Sequence, residues 1–129
     1  MDWNYRYLFE YGHLLSKLKR CDEAIYVLRH AEEKSNDPMI LDVIGRIFQE
    51  IGLYDEAEKY FKRAVNRLPS RIYPYYLLAK LYAEPAYRHP KRLKQVADVV
   101  LEKPPKIPSP AVEDMKKEIK ELLQAENIK

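Results

Sequence analysis

The sequence has little of most things that announce a function. A single cysteine in 129 residues excludes a disulfide framework. Three glycines leave no material for a loop that cradles phosphate. Long apolar runs are missing: the longest uncharged stretch, Ile72 to Ala79, has eight residues, against the roughly 20 that span a bilayer. The first residues, Met1-Asp2-Trp3-Asn4-Tyr5-Arg6, show no basic region followed by an apolar run, so no signal peptide is expected. Neither charge sign dominates. A net charge of +3 is too mild to imply nucleic acid by itself. The three histidines, His13, His30 and His89, lie too far apart for local metal-ligand spacing, and Cys21 has no base near it in sequence. The pairs Glu32-Glu33 and Asp55-Glu56 are adjacent, so on a helix they point about 100° apart and make no facing carboxylate pair. No catalytic residue, metal site or cofactor is expected.

What the chain does have is 47% hydrophobic residues, eleven tyrosines and an internal repeat. The length suits one domain with a real core. Two segments match at an offset of 33: Gly12 with Gly45, Asp22-Glu23-Ala24 with Asp55-Glu56-Ala57, and Ala31 with Ala64. Large apolar residues follow the same register: Leu8 with Leu41, Tyr11 with Ile44, Leu15 with Phe48, Leu28 with Phe61. Leu8, Tyr11, Gly12 and Leu15 share one helix face, as do Ala24, Leu28 and Ala31 on the next helix. A mid-helix Gly costs about 1 kcal/mol relative to Ala. Keeping it in both copies implies close helix contacts. Asp and Glu at the start of the second helices suit the helix dipole.

A looser third copy has Tyr75, Leu78, Ala79 and Tyr82, then Leu93, Ala97 and Val100, with a longer turn through Glu84–Pro90. After it, Lys106-Ile107-Pro108 reads as an extended link, since Pro pushes its predecessor out of the helical region. Ser109 reads as an N-cap and Pro110 as the first helical residue. Val112, Met115, Ile119 and Leu122 form one apolar stripe; Asp114, Lys117, Glu118 and Glu121 form the wet face opposite. The spacing predicts helices near 4–18, 22–35, 38–51, 55–67, 72–84, 91–103 and 110–124.

This pattern resembles the tetratricopeptide repeat, a helix–turn–helix unit of about 34 residues. Leu41, Ile44, Gly45, Phe48, Tyr54, Ala57, Phe61, Ala64 and Pro69 carry it best. The first copy has Asn36 at the Pro position, and the third has Ala79 for Gly and Leu93 for Ala but regains Pro105. The resemblance implies an all-α, right-handed solenoid of three helix pairs plus a C-terminal capping helix. It would be a single domain over residues 1–129, with repeats at about 5–37, 38–70 and 71–106 and the cap at about 109–125.

The resemblance also implies a concave groove lined by the first helix of each pair. At those places stand Arg6, Phe9, His13 and Lys17; Asp42, Arg46, Gln49 and Glu50; and Tyr73, Tyr76, Lys80 and Glu84. Aromatic stems and both charge signs suit a protein or peptide segment. The family's two-carboxylate clamp for chaperone tails needs Asn and basic residues where this chain has His13, Val43, Tyr73 and Leu77, so such tails are not expected. The alternative is an ordinary solvated surface.

A second resemblance covers residues 68–123. The segments Leu68-Pro69-Ser70-Arg71-Ile72-Tyr73-Pro74-Tyr75-Tyr76 and Lys106-Ile107-Pro108-Ser109-Pro110 are similar to the soluble C-terminal region of O-antigen ligase or polymerase-like membrane proteins of Bacteroidetes-type bacteria. It implies a soluble tail, cytoplasmic or tethered near a membrane through a part missing here, that organises partners or an oligomer. Finally, residues 71–106 carry eight Lys/Arg against three acids, while residues 1–70 carry eleven against twelve. Arg88, Lys91, Arg92 and Lys94 form the sharpest basic patch, at a helix start where the dipole disfavours cations. It is read as a solvated surface, an anionic membrane surface or, less favoured, a nucleic-acid contact. No nucleic acid is expected as partner.

Overall fold

The structure is a computed structural model that describes residues 5–103 and 109–126. Pro105 and the link Lys106-Ile107-Pro108 lie outside the described residues. Among these there are seven α-helices, one 3₁₀ turn and no strand. The helices fall into two compact units, residues 1–68 and 69–129.

The first unit holds α1 (Tyr5–Lys17), α2 (Cys21–Lys34), α3 (Pro38–Glu50) and α4 (Tyr54–Arg67). α1 packs on α2 and α3 on α4, with α2 bridging to α3. The matched small residues are the contact points. Gly12 abuts Leu28, and Gly45 abuts Phe61; Ala24, Ala31, Ala57 and Ala64 are fully buried around them. The two turns are equivalent in geometry. Arg20 N–H donates to Leu15 O at 2.9 Å, and Leu53 N–H to Phe48 O at 2.8 Å. Each turn needs one residue in the left-handed region: Gly52 at φ 86° in the second copy, but Lys19 at φ 63° in the first. α3 starts on an Asp-Pro signal, with Asp37 accepting from Met39 N–H at 3.0 Å and Pro38 opening the helix. Cys21, half-buried, opens α2.

The second unit holds α5 (Tyr73–Tyr82), α6 (Pro90–Glu102) and α7 (Pro110–Ala125). α5 stops two residues short of expectation. Pro85 forces Glu84 into an extended conformation (ψ 131°), and a 3₁₀ turn at Pro85–Tyr87 follows. His89 closes that turn: its N–H donates to Tyr82 O at 3.0 Å and its ring meets Tyr87 edge-on at 4.7 Å. Leu93, Ala97 and Val100 are fully buried, as their spacing requires. α7 packs on α6 and α5 through its apolar stripe, with Ile119 fully buried and Val112, Met115 and Leu122 half-buried. Ser109 sits at the N-cap position, but its hydroxyl makes no capping bond; Pro110 opens the helix as expected.

Candidate binding surfaces on the first helices of the pairs

In the first unit, α1 and α3 touch, and the expected groove residues of these two helices partly converge. Phe9 and His13 lie one turn apart with their rings tilted at 33° and their centroids 6.0 Å apart. Lys17 follows one turn on, and Arg46 reaches the same place from α3. Both cations act on His13. Its pKa lies below the ordinary value, first through partial burial and then through the nearby charges of Lys17 and Arg46. Arg6, Lys17 and Arg46 are exposed and make no ion pair among the described residues. Chemically, this is an aromatic step ringed by cations, suited to a carboxylate beside an apolar side chain.

Two expected groove groups are not available there. Asp42 is fully buried, so its carboxylate offers nothing to a ligand. Its place in the register put it on the groove side, but its neighbours Ile40, Leu41, Val43 and Ile44 are all buried too, so this stretch of α3 is withdrawn from solvent. Glu50 is paired with Lys19 from the turn after α1. Gln49 is half-buried.

In the second unit the groove positions form their own cluster. Tyr73 and Tyr76 stack with centroids 6.1 Å apart, and Lys80 Nζ lies 5.3 Å from the Tyr76 ring centre. Sequence spacing put Glu118 on the solvent face of the cap. Instead, the Tyr76 hydroxyl donates to Glu118 of α7, and Lys80 Nζ stands 3.5 Å from the same carboxylate. Glu118 flanks the apolar stripe next to Ile119, on the side that meets α5, and its side chain is long enough to reach across. The cap therefore engages Tyr76 and Lys80 itself.

The basic patch is also partly neutralised. Arg88 pairs with Glu126 after α7, and Lys94 stands 3.9 Å from Asp98 one turn along α6. Lys91 and Arg92 are exposed at the helix start. Lys103 donates to Pro69 O at 2.8 Å and lies over the Tyr75 ring. Among the described residues no three His, Cys, Asp or Glu side chains form a metal-holding group, and no helix is long and apolar enough to cross a membrane.

No protein-family model matches the chain. One curated protein, bimA of Emericella nidulans, is 34% identical over 62 residues, which is 47% of this chain and 8% of that protein. Among solved structures, the type III secretion translocator chaperone SycD of Yersinia enterocolitica superposes with a TM-score of 0.81 at 12% identity, covering 94% of this chain and 88% of the other. The first tetratricopeptide domain of Spaghetti (RPAP3), solved with the HSP90 peptide SRMEEVD, gives a TM-score of 0.74 at 19% identity and 94% coverage of both chains. The fold is an all-α, tetratricopeptide-like solenoid. None of these matches is a polysaccharide ligase or polymerase, so the resemblance of residues 68–123 to such a protein gains no support.

Proposed function

We propose that this chain is a non-catalytic module that binds an extended, acidic segment of another protein on the α1–α3 face. The observation that carries the reading is the convergence of Lys17 and Arg46 on His13 beside Phe9. The positive charges of Lys17 and Arg46 disfavour protonation of His13, and a bound carboxylate would offset them. The folds matched above support the class: one is a chaperone for secreted translocators, the other was solved with a peptide. A chaperone-type C-terminal clamp is not proposed, because His13, Val43, Tyr73 and Leu77 stand where its ligands would be.

The test uses arrays of extended peptides of about ten residues that pair Glu or Asp with one large apolar side chain, read by fluorescence anisotropy. Acidic members should bind, and Arg46→Ala should weaken them about tenfold, the loss of one charged hydrogen bond. Equal binding of basic and acidic peptides, or of wild type and Arg46→Ala, would remove the assignment.

A further inference from the structure

A stripe of large apolar residues runs along the exposed side of α1. Tyr7, Tyr11, Leu14 and Leu18 recur at helical spacing and are 51, 40, 52 and 58% exposed. Tyr26 on α2, 68% exposed, extends the patch, and an open cleft lined by Tyr11, Leu15, Tyr26 and Val27, with Asp22 and Glu23 at its edge, joins the two. Isolated surface apolar residues need no explanation, but a continuous patch does.

The repeat itself says what such a face accepts. Thirty-three positions on, the same stripe reads Ile40, Ile44, Ile47 and Ile51. The first three of these are at most 2% exposed, on α3, the helix against which α2 packs. The α1 stripe thus has the register of a surface built to receive a helix.

We propose that a second copy of this chain docks there, with its α1 antiparallel to this α1 about a two-fold axis. Such pairing lets one exposed stripe cover the other. Centred between Tyr11 and Leu14, it opposes Tyr7 to the partner's Leu18 and Tyr11 to the partner's Leu14. Charge selects this arrangement. Glu10 and Lys17 flank the stripe on the edge away from Leu8 and Leu15, and neither makes an ion pair among the described residues. In the antiparallel register equivalent edges meet. Glu10 then stands about one helical half-turn from the partner's Lys17, and the symmetry repeats the pair. The three tyrosines match the composition of interface cores.

Sedimentation velocity on the whole chain, from about 1 to 200 μM, tests this. A concentration-dependent dimer is expected. Leu14→Glu changes an exposed residue, so it should leave the circular dichroism unchanged and the chain monomeric. Glu10→Lys and Lys17→Glu should each weaken the dimer about fivefold, and the double reversal should restore it. A monomer throughout, or a dimer indifferent to Leu14→Glu, overturns the proposal. A double reversal that fails to restore what the single ones lost overturns the antiparallel register. None of these readouts depends on peptide binding.

Discussion

Gly45 lies so close to Phe61 that a Cβ added to it would stand 2.4 Å from the ring edge. Gly12 has the same relation to Leu28, at 2.5 Å. Both large partners are fully buried, so neither has space to retreat into. Gly45→Ala should therefore destabilise by about 2–3 kcal/mol, despite its better helix propensity. Gly12→Ala should cost less, because a Leu side chain has more torsions with which to yield than a flat ring. Urea unfolding of the two variants checks the order, and a Gly45→Ala protein as stable as wild type would contradict it.

The two equivalent turns predict opposite responses. Gly52 sits at φ 86° with open space around it, so Gly52→Ala suffers only from backbone strain, about 1 kcal/mol. Lys19 already bears such strain at φ 63°. Lys19→Gly relieves it and gives up only an exposed ion pair with Glu50. The variant should melt no lower than wild type, and a clear drop in Tm would show that the pair matters more than the backbone.

The cap should be tied to α5 through one shared carboxylate. Glu118 accepts from Tyr76 and faces Lys80. Tyr76→Phe, Glu118→Gln and their combination form a double-mutant cycle. A coupling of about 1 kcal/mol is expected, along with faster amide exchange in α7 for each single variant. Strictly additive effects with unchanged exchange would mean that the contact does not hold the cap.

His13 supplies a pH dependence. Its folded-state pKa lies below the unfolded 6.5, through burial first and then Lys17 and Arg46. Above pH 6.5 both states are neutral and its contribution to stability is complete. As pH falls through the depressed folded value, the unfolded chain takes up a proton more readily and that contribution is lost. His13→Gln should lose less Tm than wild type between about pH 7 and 5. An equal loss in both proteins would place the pH dependence elsewhere.

Local spacing alone determined the helix pairs, since contacts along one helix face depend only on residue separation. Gly12, Gly45, the Asp-Glu-Ala starts and the buried Leu93, Ala97 and Val100 were legible for that reason. The left-handed Lys19 could be read only indirectly, from its register with Gly52. The tertiary structure decided what lies beside each face, which no spacing contains. Asp42 is buried although its register put it on the groove. Glu118 turns to Tyr76 because α7 meets α5 along that edge. Tyr11 is 40% exposed while Ile44, at the same repeat position, is fully buried on the helix that α2 covers. A repeat specifies each surface twice over, but burial depends on the neighbour, and the neighbour differs from one copy to the next.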